Sequence, residues 1–213
     1  RYYSLMYLVA FAVVYLLFAY RIKHKEITLT KETLQDYLVW AMIGLIVGAR
    51  FGYALFYNFN YYSSHLLEII LPFDFSNGFR FVGLSGMSYH GGLIGVVLVT
   101  LYFCHKHNIN WLQFGDWICA AAPLGYMFGR FGNFINGELF GRVSDVPWAM
   151  VFPSAKYLHP GVEPAPRHPS QLYEAALEGL VLFLVLWLYS RKPRPTMAVS
   201  GLFLILYGLF RFA

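Results

Sequence analysis

The sequence predicts an all-α fold, a polytopic bundle of transmembrane helices, and three observations predict it. Of its 213 residues, 58% are hydrophobic and only 13% are charged, about half the charged share of an ordinary soluble domain. The apolar residues form six continuous runs without strand-like alternation, which indicates spanning helices and not barrel strands. Basic residues gather in alternate short connections between those runs, the pattern that sets membrane topology. Scarce charge and a 20% aromatic content also exclude disorder, collagen and coiled coil.

The runs cover Tyr3–Tyr20, Thr33–Tyr57, Val82–Phe103, Trp111–Phe131, Ser170–Tyr189 and Val199–Ala213. At about 20 residues per span they fit one integral membrane domain over residues 1–213, with the last run too short to cross alone. The connections after the first, third and fifth runs hold Arg21, Lys23, Lys25, Lys31, Lys106, Arg191, Lys192 and Arg194. Their basicity places them in the cytoplasm, so the N-terminus and the long Gly132–Pro169 segment are expected on the outer side. That segment carries Pro147, Pro153, Pro160, Pro164, Pro166 and Pro169, and reads as a small irregular extracytoplasmic head over residues 134–168. With the basic residues assigned to topology, the +5 net charge implies no nucleic-acid partner. Cys104 and Cys119 stand in no CxxC or Cys/His spacing, so neither a metal site nor a disulfide framework is expected. No internal repeat is visible, which weakens an inverted-repeat transporter reading.

Ionisable residues inside apolar runs are costly and mark candidate sites. Here they are Arg50, His90, Asp116, Arg130, Glu138, Glu174, Glu178 and Arg211. Asp116 has the plainest explanation, as an acid complementing the dipole in the first turn of its own helix. The densest constellation is Gly-Arg-Phe-Gly-Asn-Phe-Ile-Asn-Gly-Glu-Leu-Phe-Gly at 129–141. On a continuous helix Arg130, Asn133, Gly137 and Gly141 share a face with Glu138 at its edge, although the glycines also favour a break. Arginine, two amides and a carboxylate among small residues suit an oxyanion headgroup, with Arg130 as clamp and Glu138 as orienter. Packing of helices through small residues explains the glycines but not Arg130 with Glu138.

His90 lies early in its run, in Tyr-His-Gly-Gly-Leu-Ile-Gly, with glycines that expose it as a proton acceptor. After Pro169, Gln171, Glu174 and Glu178 form a polar stripe expected to face the interior and balance Arg50, Arg130 or Arg211. Tyr207 and Arg211 share a face, as do Tyr3 and Tyr7, and Arg50 sits between Gly48 and Gly52. Several buried arginines without enough acids would be costly, so a phosphate-bearing lipid is a natural ligand.

At these residues the chain resembles the bacterial phosphatidylglycerol–prolipoprotein diacylglyceryl transferases. The run at 129–141 matches their signature, and Gly-Ala-Arg-Phe-Gly-Tyr at 48–53, His-Gly-Gly-Leu-Ile-Gly at 90–95, Arg-His-Pro-Ser-Gln-Leu-Tyr-Glu at 167–174 and Gly-Leu-Phe-Leu-Ile-Leu-Tyr-Gly-Leu-Phe-Arg at 201–211 follow in the same order. The resemblance implies an enzyme of the bacterial inner membrane acting on its outer face. It would move diacylglycerol from phosphatidylglycerol to the lipobox cysteine of a preprolipoprotein signal peptide, forming a thioether and releasing glycerol phosphate without cofactor or metal. It implies His90, Arg130, Glu138 and Arg211 as the catalytic set, and Tyr3, Arg50, Asn133, Asn136, Gly141 and Tyr207 as substrate-binding positions. It also implies a leading segment and a seventh span after Arg211 in the complete protein. A phospholipid or anion transporter and a non-enzymatic docking protein for signal peptides are the competing readings of the same residues.

Overall fold

A computed structural model describes residues 2–70, 73–74, 80–81, 86–154 and 165–212. Six main helices coincide with the six apolar runs: α1 (Tyr2–Lys23), α2 (Lys31–Phe56), α3 (Tyr89–Lys106), α4 (Trp111–Asn136), α5 (Ser170–Tyr189) and α6 (Ala198–Phe212). Three of them, over Leu5–Lys23, Lys31–Phe56 and Ser170–Tyr189, are long and apolar enough by themselves to cross a membrane. Among the described residues, the strands are the two-residue pairs β1 (Phe73–Asp74) with β2 (Arg80–Phe81) and β3 (Met150–Val151) with β4 (Pro166–Arg167). The chain divides into two compact units, Thr30–Trp111 and the combination of Arg1–Leu29 with Leu112–Ala213.

In the Thr30–Trp111 unit, α2 starts where the Thr30 side chain accepts from the Thr33 N–H at 3.1 Å, an N-cap that satisfies an otherwise orphan donor. Helix α3 begins at Tyr89, where Ser88 caps it by accepting from the Gly91 N–H at 3.2 Å; residues 82–85 of the run expected from Val82 lie outside the described residues. The two helices pack backbone to backbone through Gly44, Gly48 and Gly52 of α2 against Gly91 and Gly95 of α3. A Cβ at Gly52 would stand 2.5 Å from Gly91 Cα, and one at Gly95 2.9 Å from Gly48 Cα. Small residues at four-residue spacing permit this approach where apolar burial alone gives little drive between helices. The glycines beside His90 therefore serve helix packing, a role their sequence pattern did not single out.

In the other unit, Ala120, Leu182, Leu186 and Val199 form a buried core shared by α4, α5 and α6. Helix α5 contains a π-helical stretch, Ala175–Val181, between α-helical ends. Arg21, one of the residues assigned to topology, is buried at the end of α1. It donates to Ser190 Oγ at 2.6 Å and lies 4.1 Å over the Trp187 ring. It thus ties α1 to the end of α5.

Asp116 corrects the sequence expectation. It lies in the second turn of α4 and serves a different helix, accepting from the N–H groups of Met197 and Ser200 at 2.7 Å each and from Ser200 Oγ at 2.6 Å. It is the side-chain cap of α6. Asp116→Ala removes a charged acceptor from three donors, and is expected to cost about 2–3 kcal/mol. Thermal unfolding in detergent should show a lower midpoint for Asp116→Ala than for Asp116→Asn, and equal midpoints for both variants and the parent would refute the capping role.

Candidate functional site

The signature run leaves the helix sooner than one continuous face requires. Helix α4 ends at Asn136, and Gly137 takes a left-handed φ of 66°. The Glu138 N–H reaches back to Asn133 O at 3.0 Å and the Gly137 N–H to Phe134 O at 3.0 Å. These are the two bonds of a Schellman ending, in which glycine is favoured because a Cβ resists left-handed φ. The turn folds Glu138 back over the last turn of α4, where its carboxylate accepts from Asn133 Nδ2 at 3.2 Å and Asn136 Nδ2 at 3.4 Å. Gly141 does not share Arg130's helical face. It lies beyond the turn, accepting from Arg167 Nη1 at 3.3 Å and donating its N–H to His168 O at 2.9 Å. Gln171, fully buried, donates to Glu138 O at 2.6 Å and so joins this turn to α5.

One face of α4 carries Tyr126, Arg130 and Asn133, spaced as near neighbours on a helix. Arg130 Nη1 donates to Asn133 Oδ1 at 3.3 Å, and its Nε donates to Tyr126 OH at 2.7 Å. The guanidinium also lies 4.8 Å over the Tyr126 ring. Across from it, Glu174 Oε2 of α5 is 2.9 Å from Arg130 Nε and 3.1 Å from Arg211 Nη1 of α6. Glu178, with 2% of its side chain exposed, adds a second contact to Arg211 Nη1 at 3.4 Å. Tyr126 OH lies 3.1 Å from Glu174 Oε2 and 2.8 Å from Glu178 Oε2. The π-helical stretch lies beside this cluster, a location where such distortions recur. Gly179 in it passes Met127 so closely that a Cβ would stand 2.7 Å from Met127 Cβ.

The site therefore contains two cations, each with one guanidinium edge bound to carboxylate. Among the described residues, neither Nη2 atom makes a hydrogen bond to protein. Those edges are donors of the geometry that suits a planar carboxylate or a phosphate. The acid stripe that sequence placed in the interior does balance Arg130 and Arg211. Arg50 belongs to the other unit. There Arg50 is buried and donates to the carbonyls of Glu68 at 2.6 Å, Ile69 at 2.9 Å and Gly86 at 3.4 Å. It pins the connection between α2 and α3. The Ser88 N–H bond to Ala49 O at 2.9 Å puts the start of α3 beside that turn. His90 is exposed there, its ring 5.7 Å from that of Tyr89. Tyr207 is half-buried, packs against the α4–α5–α6 core and stacks on Phe203 at 5.7 Å. The side chain of Tyr3 lies outside the described residues.

Sequence reasoning singled out every charged member of the cluster, but it missed Tyr126. The available signal was its spacing of four residues from Arg130 on a helix, faint in a chain with 17 tyrosines.

Apolar helices long enough to cross a membrane, with a polar cluster built around paired arginines among them, define the class: a helical membrane protein. A family model described as prolipoprotein diacylglyceryl transferase matches residues 1–213, and the chain belongs to that family. The chain is 51% identical over 213 residues to the phosphatidylglycerol–prolipoprotein diacylglyceryl transferase of Bordetella avium (strain 197N), covering all of this chain and 75% of the relative. It is 48% identical over 212 residues to the enzyme of that name from Pseudomonas aeruginosa (strain LESB58), covering all of this chain and 73% of the relative. The corresponding values for Pseudoalteromonas atlantica (strain T6c / ATCC BAA-1087) are 50% over 212 residues, all of this chain and 69% of the relative.

Proposed function

We propose that the protein transfers the diacylglyceryl group of phosphatidylglycerol to the lipobox cysteine of a preprolipoprotein, in the bacterial inner membrane. The observation that carries this reading is the pair Arg130 and Arg211 held on one carboxylate oxygen with their Nη2 edges open, in a chain of this family. The substrate thiol attacks the glycerol carbon that bears the phosphodiester. The new S–C bond replaces the C–O bond, the thiol proton passes to His90, and glycerol phosphate leaves with the electron pair on its oxygen. A thiol is mostly protonated at neutral pH while its thiolate is the nucleophile, so a base raises the reactive fraction. Arg130 and Arg211 stabilise the charge that grows on the departing phosphate.

Glu138 orients Asn133, and Asn133 orients Arg130, through the hydrogen bonds between them. Asn136 fixes Glu138 from its other side. Arg50 contributes through the connection that it holds beside the start of α3, and Gly141 through the turn packed on His168. Tyr3 and Tyr207 belong to the lipid-binding set. The N-terminus and the site face the periplasm, residues 1–213 act as one membrane domain, and the segment over 134–168 serves as an extracytoplasmic head.

The deciding measurement is mass spectrometry of a lipobox peptide incubated with the purified protein and phosphatidylglycerol. A diacylglyceryl mass gain on the cysteine, with equimolar glycerol phosphate, is expected. An unmodified peptide alongside lipid flux or tight peptide binding would instead indicate a transporter or a docking protein.

A further inference from the structure

Glu174 is the hub of the arginine cluster. Its Oε2 atom alone receives Arg130 Nε at 2.9 Å, Arg211 Nη1 at 3.1 Å and Tyr126 OH at 3.1 Å. The two guanidinium nitrogens can therefore be no farther apart than the sum of the two ion-pair distances, close enough for both guanidinium groups to meet one phosphate. Two like charges repel at that separation. Arg211 is the one free to retreat, since 54% of its side chain is exposed while Arg130 is 19% exposed. Both arginines meet the carboxylates of α5, and no hydrogen bond joins them directly among the described residues.

Glu174 is itself held. The Tyr126 hydroxyl lies between it and Glu178, within reach of donating its one proton to either carboxylate, and Glu178 gives Arg211 its second contact. Tyr126 also sits on Arg130 by its ring and its hydroxyl, so one residue fixes both a cation and the carboxylate opposite it.

We propose that Glu174 is a positioning residue that sets the spacing of Arg130 and Arg211 for one lipid phosphate, and that Tyr126 holds Glu174 for that purpose. This rests on the reading that the two arginines take the phosphate of phosphatidylglycerol. Glu174 works through the arginines, which touch the substrate. Preorganised donors are effective because they need no rearrangement as charge develops, so loss of the spacing falls on turnover. The same substitution removes a negative charge that competes with the phosphate, so lipid binding does not weaken.

The test measures kcat and KM for phosphatidylglycerol in Glu174→Gln and Tyr126→Phe, on monodisperse protein with the parent melting midpoint. Glu174→Gln is expected to lower kcat at least tenfold while KM falls about two- to threefold, a split that a smaller active fraction cannot produce. Tyr126→Phe keeps the ring over Arg130 and is expected to lower kcat at least threefold. The double variant should lose no more than Glu174→Gln alone, because Tyr126 acts through Glu174. Parent kcat in Glu174→Gln, a raised KM, or additive losses in the double variant would overturn the proposal. If Glu174→Gln does not accumulate in the membrane, Glu174→Asp replaces it. That side chain is one methylene shorter and draws the shared oxygen back from both arginines, so a parent kcat there overturns the proposal equally. Arg130→Ala and Arg211→Ala run in parallel. If they retain parent activity, the phosphate reading itself fails; if they are inactive while Glu174→Gln is normal, only the spacing inference fails.

Discussion

Arg130→Ala is expected to lower the rate of diacylglyceryl transfer by about 10²–10³-fold, the typical effect of deleting one preorganised donor to developing charge. The chemical reason lies in three contacts that one side chain makes together. Nε meets Glu174 and Tyr126 while Nη1 binds Asn133, which leaves Nη2 as the donor not engaged by protein among the described residues. Alanine removes that donor and also leaves Glu174 and the buried Glu178 to share Arg211 alone. Arg130→Lys is expected to recover little. A single ammonium has no planar fork with which to hold Glu174, Tyr126 and Asn133 while donating to a phosphate. The check is the initial rate of thioether formation on a lipobox peptide, using protein whose elution profile and melting midpoint match the parent. A parent rate in Arg130→Ala would remove Arg130 from the phosphate clamp.

The helical architecture was legible because the relevant physics is coarse. A bilayer demands long apolar runs, and each run in this chain became a helix. The charged part of the site was legible for the complementary reason, since few charges occur and an ionisable group inside such a run needs a partner. What sequence could not choose was the partner. Glu174 and Glu178 could have balanced any of three arginines, and pairing across 33 or more residues of chain depends on how α4, α5 and α6 pack. Tyr126 was hidden among aromatic residues that equally suit lipid contact. Asp116 was misread because capping was assumed to be local, whereas its donors belong to a helix that starts some 80 residues later. Arg50 and the glycines near His90 were read for chemistry that side chains would do. Their visible work is on backbone: Arg50 binds carbonyls, and the glycines let two helices touch.

That helix contact carries the second large effect. Gly95→Leu is expected to prevent stable accumulation of the protein in the membrane. The atoms that a Cβ at Gly95 would meet are main-chain atoms of Gly44 and Gly48, with Gly48 Cα at 2.9 Å and the Gly44 carbonyl carbon at 3.0 Å. Main chain cannot swing aside as a flexible side chain can, so α2 and α3 must separate. Even Gly95→Ala should cost about 1–3 kcal/mol, the usual penalty for overpacking a close contact. Separation would also loosen the Ser88 bond to Ala49 and the carbonyl set around Arg50, displacing the first turn of α3, which carries His90. Gly95→Ala should therefore lose transfer activity as well as stability. Gly201→Ala is the matched control, because a Cβ there meets no atom within 4 Å and alanine favours the helix. Membrane abundance and melting midpoint read the outcome. Parent values in Gly95→Leu would mean that the α2–α3 contact is not as close as the glycines require.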